Sequence, residues 1–267
     1  MNGSFPRTES GRSYPVFIHR SKKEYARLCQ GSRKDVRNTV SFAKAAQPKW
    51  MARPAYNRGQ ILYRLAEMME GKREEISLAL KETQGLSSAQ LKKMIDQSID
   101  HLVHFAGFCD KYEQILGSKN PINGPFHNFT SPTALGVVAH LSNEETLDQL
   151  IEKIAATIVS GNSIICLLGK KTEVLLSILG EICQTSDLPA GVVNLLSGDL
   201  NELSSHFFSH LEINAISFRD LDKKHLTLGK ELASSHLKRI LPIKDLASIA
   251  LLEQSIEFKT YWHPIGQ

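Results

Sequence analysis

From Leu135 onward, short apolar runs alternate with longer segments of helical period, and this alternation restricts the possible folds more than any other feature. The apolar runs are LGVVAHL, GNSIICLL, GVVNLLSG, INAISF, KRILPI and ASIALL, separated by segments such as LDQLIEKIAATIV and EVLLSILGEIC. Parallel strands that are covered on both faces appear as continuous apolar runs, because helices shield both sides. The pattern predicts a doubly wound α/β core with a mainly parallel sheet over residues 134–253.

The part before this core has helical period almost throughout. After Ser87, apolar residues such as Leu91, Ile95 and Leu102 recur at intervals of three and four, which is the spacing of one buried helix face. We therefore expect a helical layer over residues 32–119, which joins the core in one domain over residues 32–253. The first 31 residues are polar and contain Pro6 and Pro15, and we expect them to form a flexible N-terminal arm.

Two segments outside the helices resemble short edge strands. Residues 120–133 are rich in Pro, Gly, Asn and Phe, and residues 254–267 contain EFKTYWHPIGQ. Alternation places Phe258 and Trp262 on one face of the closing strand and Tyr261 on the other. An unpaired strand of this kind favours aggregation, so we expect the two segments to pair with each other.

Composition excludes several classes of protein. The net charge of +4 comes from 32 basic and 28 acidic residues, so a nucleic-acid partner is not expected. No run of about 18 apolar residues occurs, and a membrane partner is not expected either. The four cysteines are widely spaced without a CxxC motif: Cys29, Cys109, Cys166 and Cys183. This pattern indicates reduced thiols and a cytoplasmic protein.

A metal site is not expected. His206 and His210 have the i, i+4 spacing of a metal-binding pair, but no glutamate base lies between them and no third ligand is near in sequence. Gly161 and Asn162 lack the further glycines and the lysine of a phosphate-binding loop, so we interpret them as a tight turn into a buried strand. Cys166 lies among apolar neighbours, which predicts an inert structural thiol.

The order and spacing of several motifs resemble the aldehyde dehydrogenase superfamily. The segments LGVVAHLSN, GNSIIC, TSDLPAGVVNLLSG and HLEINAISF are similar to its cofactor-binding domain, and Trp50 with RGQILYRLAEMM and KETQG is similar to its N-terminal helices. The resemblance runs from about Val36 to the end of the chain. With its closing IEFKTYWHPIGQ and its short length, the chain resembles the incomplete second domain of the two-domain aldehyde dehydrogenases of family sixteen.

The resemblance implies three positions of a catalytic and cofactor site. Asn143 falls on the asparagine whose amide helps to form an oxyanion site in the superfamily; its residue type also suits an ordinary cap or turn for a helix beginning at Glu144. The lysine and glutamate that hold the adenosine ribose fall on Leu167 and Lys170. A leucine cannot hydrogen-bond a hydroxyl group, and a lysine provides no acceptor.

Three further positions also depart from the superfamily. Its FTGS turn, where small residues let a pyrophosphate approach a helix N-terminus, corresponds to FRDL here, with Asp220 and Leu221 in place of the small residues. Asp220 and Asp222 place carboxylates where they can cap that helix themselves. The general-base glutamate falls on Ile243, which cannot take a proton.

These departures, together with the lack of the superfamily's nucleophilic cysteine, predict a non-catalytic aldehyde dehydrogenase-like module, that is, a pseudoenzyme or scaffold without a bound cofactor, although a vestigial NAD(P) site is possible. The alternative is an NAD(P)-dependent oxidoreductase acting on aldehydes, with a residual nucleotide site or a partner chain that supplies the nucleophilic cysteine. The superfamily's closing strands join subunits, so the resemblance implies a homodimer or docking onto a longer aldehyde dehydrogenase-like chain. Phe258, Tyr261 and Trp262 are the candidate residues of this oligomerisation surface.

Overall fold

The computed structural model describes residues 1–243 and 248–266, and ten strands and ten α-helices lie within them. The strands are β1 (Ser13–Phe17), β2 (Glu24–Cys29), β3 (Ser118–Lys119), β4 (Phe126–Ala134), β5 (Val137–Ser142), β6 (Ser163–Leu167), β7 (Val193–Leu196), β8 (Ala215–Arg219), β9 (Arg239–Pro242) and β10 (Ile256–Pro264). The helices are α1 (Arg33–Met51), α2 (Ala55–Gly71), α3 (Arg73–Gln84), α4 (Ser88–Ala106), α5 (Tyr112–Leu116), α6 (Leu147–Ile158), α7 (Leu176–Thr185), α8 (Leu200–Ser209), α9 (Lys223–Ser234) and α10 (Ser248–Glu253).

The central sheet has the order β7-β6-β5-β8-β9, and all of its strand pairs are parallel. Its three inner strands, β5, β6 and β8, are buried at every residue. Helices on both faces satisfy the crossover connections that parallel strands require. The predicted doubly wound α/β class with a mainly parallel sheet is therefore confirmed.

The sheet has a different hydrophobic core on each face. On one face, alternate residues such as Ala139, Ile165 and Ile216 pack against α1 and α8. On the other face, residues such as Ile164 and Cys166 join a larger core that includes α2, α4, α6 and α7. The period-two alternation of strand side chains assigns neighbouring residues to opposite cores.

The helices before the sheet begin at well-defined caps. Ser32 and Asp35 form a capping box at the start of α1, and Ser87 and Gln90 form another at the start of α4. Each box satisfies backbone N–H groups that the first turn leaves without partners. Trp50, at the end of α1, is fully buried and donates its indole N–H to the carbonyl of Ile158 at 2.8 Å, which joins the helical layer to the α/β core.

The N-terminal segment differs from the flexible arm over residues 1–31 that the sequence indicates. Strands β1 and β2 form an antiparallel hairpin, with Ser13 opposite Cys29. Tyr14 donates its hydroxyl to Glu173 at 2.6 Å, and Ser197 donates to the carbonyl of Cys29 at 2.6 Å. Backbone pairing and these polar contacts hold the hairpin in place. Because neither depends on a strong apolar pattern, the sequence does not reveal the two strands.

The apolar run ASIALL differs from the strand that the sequence predicts. Ala247 lies outside the described residues, and the run from Ser248 onward forms the helix α10. Leu251 and Leu252 are buried in the core beside α6. A short apolar run has no period that separates a buried strand from a buried helix, and packing against α6 decides the outcome.

The two segments resembling edge strands pair with each other. Strand β10 runs antiparallel to β4 with Tyr261 opposite Phe129 and Trp262 opposite Asn128, while β3 pairs with the other edge of β4. The sheet order β10-β4-β3 leaves β10 at an edge of this small sheet. The expected pairing of residues 120–133 with residues 254–267 is present, although β4 extends to Ala134.

Candidate functional site

The order of the central strands creates one switch point. The chain passes from β5 to β6 and β7 on one side, and then returns to the other side of β5 to form β8 and β9. The crossovers that follow β5 and β8 therefore lead away from each other. In open α/β sheets, ligands bind beyond the carboxyl ends of the strands at such a point, so the crevice between the ends of β5 and β8 is the candidate site.

Asn143 lies in the turn that follows β5. It does not cap a helix at Glu144, because α6 begins at Leu147 and has Thr146 as its cap residue. The backbone carbonyl of Asn143 accepts the N–H of Lys170 at 3.0 Å. A side chain on Gly169 would place its Cβ 2.5 Å from the Asn143 carbonyl oxygen, so this glycine allows the two loops to touch.

The two positions that the resemblance assigns to a ribose clamp, Leu167 and Lys170, do not form one. Leu167 is buried at the end of β6 and belongs to the core on the α1 and α8 face. Lys170 is exposed in the next loop. An apolar side chain that faces the core provides no group for a sugar hydroxyl.

The N-terminus of α9 is capped by the protein itself. The Asp222 carboxylate accepts the backbone N–H of His225 at 2.8 Å and contacts the His225 ring Nδ1 at 2.7 Å. The hydrogen bond from this backbone N–H, followed by the one from the ring, holds the pKa of Asp222 below its ordinary value. The helix end that would attract an anion already has a carboxylate on it.

The last two residues of the FRDL turn have different surroundings. Asp220 is exposed, with a φ of +58°, and Leu221 packs against the core on the α1 and α8 face. A non-glycine residue rarely adopts this left-handed conformation. Asp220 therefore occupies, with a left-handed backbone, the turn position at which the related FTGS sequence has glycine.

Ile243 extends the sheet. Its backbone N–H donates to the carbonyl of Phe218 at 3.0 Å, and its side chain is buried in the larger core. The residues that follow it, 244–247, lie outside the described residues. The position that the resemblance assigns to the general base thus carries a packed aliphatic side chain.

A buried polar network spans the switch point, and sequence reasoning missed it. Glu145 contacts Nε2 of His140 at 2.7 Å with one carboxylate oxygen and accepts Nε–H of Arg219 at 3.2 Å with the other. His140 Nδ1 lies 3.0 Å from Ser217 Oγ. Arg219 is 8% exposed and the other three residues are fully buried. The signal in the sequence was a histidine within an otherwise apolar strand and an arginine at the end of another.

Ser217, His140 and Glu145 are the three kinds of group that form a hydrolytic relay. None of them has any exposed surface, so a substrate carbonyl cannot reach the Ser217 hydroxyl. That hydroxyl also lies 3.4 Å from the carbonyl of Ala139, to which it can donate. The arrangement acts as a structural network of hydrogen bonds between β5 and β8.

The buried thiols are unsuited to nucleophilic chemistry. Burial, followed by the nearby Glu145 carboxylate, raises the pKa of Cys166. Burial raises the pKa of Cys109 to about 12. A thiol with a raised pKa supplies almost no thiolate at neutral pH. The predicted inert role of Cys166 agrees with its surroundings.

A cavity of about 620 Å³ lies away from the switch point, between the N-terminal segment, β2, α7 and β7. Its lining is mainly apolar, and the Asp35 carboxylate within it accepts from Thr8 at 2.5 Å and from Ser32 at 2.8 Å. Because the Asp35 carboxylate already has these partners, it is not available to a ligand in the cavity. The topology remains the better guide to the site.

Two further findings concern metal ions and membranes. Within residues 1–243 and 248–266, no group of three His, Cys, Asp or Glu side chains could hold a metal ion. Helices long and apolar enough to cross a membrane are absent from the same ranges.

The fold and the crevice define an open α/β domain of the type that holds nucleotides at its switch point in other proteins. The chain belongs to the aldehyde dehydrogenase family, because the sequence model of that family matches residues 5–241. The resemblance found in the sequence is thereby confirmed.

Curated relatives match most of this chain but only part of their own length. Mouse mitochondrial 10-formyltetrahydrofolate dehydrogenase is 29% identical over 248 residues, covering 90% of this chain and 26% of the relative. Human aldehyde dehydrogenase 1A1 is 27% identical, covering 90% of this chain and 48% of the relative. The chain thus spans about a quarter to a half of the length of these relatives.

Solved structures agree with the fold. A complex of PnpE with nicotinamide adenine dinucleotide has a TM-score of 0.84 at 25% identity, with 91% of this chain and 49% of that chain covered. An NAD-dependent benzaldehyde dehydrogenase from Corynebacterium glutamicum has a TM-score of 0.82 at 27% identity, with 91% and 53% covered. The likeness extends over the cofactor-domain fold and the helical layer.

Proposed function

We propose that this chain is a non-catalytic aldehyde dehydrogenase-like module, a pseudoenzyme that acts by associating with another chain. The observation that carries the proposal is the N-terminus of α9, where the Asp222 carboxylate already accepts the backbone N–H of His225. A dinucleotide pyrophosphate would meet a carboxylate there instead of open amides. This arrangement therefore opposes binding of the cofactor, which is the first step of the family's reaction.

The other positions of the site support the same proposal. At the position of a residue that binds the ribose, Leu167 has a buried apolar side chain. At the position of the general base, Ile243 has a side chain that cannot accept a proton. Each substitution removes a different part of the chemistry: nucleotide binding in the first case and proton transfer in the second. A single compensating change would not restore both.

Calorimetric titration with NAD and with NADP tests the cofactor part of the proposal. We expect no binding tighter than about 1 mM, which corresponds to roughly 4 kcal/mol. Micromolar binding would contradict the proposal and would favour the alternative, an NAD(P)-dependent oxidoreductase acting on aldehydes whose nucleophile comes from a partner chain. Aldehyde oxidation above the uncatalysed background would contradict it as well.

A designed variant makes the titration sharper. Asp220→Gly with Leu221→Ser restores the small residues of the related turn, and glycine suits the left-handed φ at position 220. Combined with Asp222→Ala, which frees the backbone N–H of His225, we expect this variant to bind NAD more tightly than the wild type. Asp187→Gly is the matched control, because Asp187 has a similar φ of +61° in a loop after α7. Improved binding in both variants would show that the effect does not come from the FRDL turn.

The association surface consists of both exposed faces and the free edge of β10. Phe258, Tyr261 and Trp262 are 44%, 47% and 61% exposed. Tyr261 stacks on Phe129 with ring centroids 5.1 Å apart, and Trp262 contacts Phe126 edge-on at 6.0 Å. Rigid aromatic groups at an unpaired strand edge are typical of anchors in protein interfaces.

Light scattering tests this surface. We propose a homodimer or docking onto a longer aldehyde dehydrogenase-like chain, and we expect Trp262→Ala with Tyr261→Ala to weaken association at micromolar concentration. Tyr56→Ala is the control, because Tyr56 is 71% exposed on α2, far from β10 in sequence. A wild type that is strictly monomeric, alone and when mixed with a full-length family member, would contradict the proposal.

We place the protein in the cytoplasm, because its four cysteines are free and suit a reducing compartment. The nearly balanced charge gives no reason to propose a nucleic-acid partner. Fractionation of cells that express a tagged form tests the compartment.

A further inference from the structure

The polar network at the switch point has a feature that packing alone does not require. Glu145 comes from the loop after β5, whereas Arg219 is the last residue of β8. Their ion pair at 3.2 Å therefore joins the carboxyl ends of the two neighbouring strands. This is the position that the topology of an open α/β sheet reserves for a ligand.

The loop is built so that Glu145 points inward. Its backbone N–H donates to Ser142 Oγ at 3.1 Å, which closes a tight turn at the end of β5. The neighbouring Glu144 is exposed, whereas Glu145 is fully buried. Both carboxylate oxygens of Glu145 have partners, one at His140 and the other at Arg219.

A buried carboxylate is stable only when charged and hydrogen-bonding partners surround it. Arg219 and His140 provide these partners, and Ser217 orients the histidine from the other side at 3.0 Å. Without Glu145, these two side chains would form a receptor for an anion. With Glu145 in place, the receptor is already occupied.

We propose that Glu145 is an internal ligand that closes the crevice at the switch point, with Arg219 and His140 as its binding site. The chain's own carboxylate fills the place of an external anion. This inference deepens the proposed function, because it names the group that occupies the crevice. It is separable from that function, since its test uses no dinucleotide.

The accessibility of the Cys166 thiol to a labelling reagent reports whether the crevice is closed. It lies opposite His140 in the register of β5 and β6, faces the same side of the sheet, and is fully buried. Cys109 is also buried, at the end of the helical layer. Opening of the crevice exposes Cys166 alone, whereas global unfolding exposes both thiols.

The experiment measures the rate at which a maleimide labels each cysteine, by mass spectrometry of the peptides. We expect Glu145→Ala to label Cys166 at least about tenfold faster than the wild type, with Cys109 still protected. Glu144→Ala is the matched control and should leave both rates unchanged. A wild-type labelling rate at Cys166 in folded Glu145→Ala would overturn the proposal.

Chemical rescue tests whether the site binds a carboxylate. Formate added to Glu145→Ala should restore protection of Cys166 in a concentration-dependent manner, and sodium chloride at equal ionic strength should not. Glu145→Ala with Arg219→Met should not respond to formate, because the guanidinium is absent. Equal effects of formate and chloride would overturn the assignment of Glu145 as an internal ligand.

A second variant covers the case in which Glu145→Ala unfolds. Glu145→Gln keeps the size of the side chain but removes its charge, and we expect a fall in Tm of several degrees with faster labelling of Cys166. In a double-mutant cycle with Arg219→Met, the combined fall in Tm should be smaller than the sum of the two single falls. Additive falls, or an unchanged Cys166 rate in Glu145→Gln, would overturn the proposal.

Discussion

Lys153 offers a direct test of how the buried charges determine stability. It lies on α6, is fully buried, and donates to Ser255 Oγ at 3.2 Å. Burial lowers its pKa from 10.5 to about 8, and the Glu145 carboxylate opposes part of this effect. Replacement with methionine keeps an unbranched side chain of similar length and removes the charge.

The size of the effect follows from the two pKa values. One pH unit corresponds to about 1.4 kcal/mol, so the interval between 8 and 10.5 corresponds to about 3 kcal/mol. At pH 7 the ammonium is charged in both states, and its burial lowers the free energy of unfolding by this amount. Loss of the hydrogen bond to Ser255 costs about 1 kcal/mol. Lys153→Met should therefore be about 2 kcal/mol more stable than the wild type at pH 7.

The sign of the pH dependence is also fixed. Between pH 8 and 10.5 the unfolded chain keeps the proton on Lys153 while the folded chain releases it, so the contribution of this group to stability rises with pH. Lys238, whose pKa burial also lowers to about 8, contributes in the same direction. In Lys153→Met, the part of the rise in stability that comes from residue 153 should be absent, and the part that comes from Lys238 should remain.

Urea denaturation at pH 7 to 10, followed by tryptophan fluorescence, measures both quantities. Trp50 is buried and reports loss of the core. Lys93→Met, at an exposed site on α4, is the control and should follow the wild type at every pH. A Lys153→Met protein that is less stable than the wild type at pH 7, or that has an unchanged slope above pH 8, would refute the reasoning.

Two further substitutions test local structure, with the free energy of unfolding measured by urea denaturation at pH 7. Asp222→Ala removes the cap of α9 and should lower this free energy by about 1 kcal/mol, and an unchanged value would show that the cap has no effect on stability. Gly169→Ala would place a Cβ 2.5 Å from the Asn143 carbonyl and should cost about 1–3 kcal/mol. Gly71→Ala is its control, because open space surrounds Gly71 at the end of α2. Equal effects at the two glycines would contradict the close approach of the two loops.

The sequence predicted the larger elements well. The helix after Ser87 and the apolar runs at β5, β6, β7, β8 and β9 carry strong local patterns, because a covered strand or a buried helix face needs apolar residues at fixed intervals. The N-terminal hairpin and α10 were not predicted. Their backbone pairing and packing partners lie far away in sequence, as the contact of Tyr14 with Glu173 illustrates.

The candidate site divides in the same way. Residue types alone indicated that Leu167 and Ile243 could not perform the family's chemistry, and the sequence also indicated that Asp222 could cap α9. The structure does not use Asn143 as a helix cap, because Thr146 and Gln149 form the capping box at the start of α6.

The sequence by itself determined the class of fold and the identity of the side chains at each inherited position, because both depend on local pattern and residue chemistry. Only the tertiary structure decided that Glu145 turns inward to meet Arg219, a residue 74 positions away in the chain. A glutamate in a turn is ordinarily solvated, and its sequence neighbours give no sign of a buried partner. The strand order brings the ends of β5 and β8 together, and the low dielectric of that crevice makes the ion pair strong enough to hold the carboxylate inside.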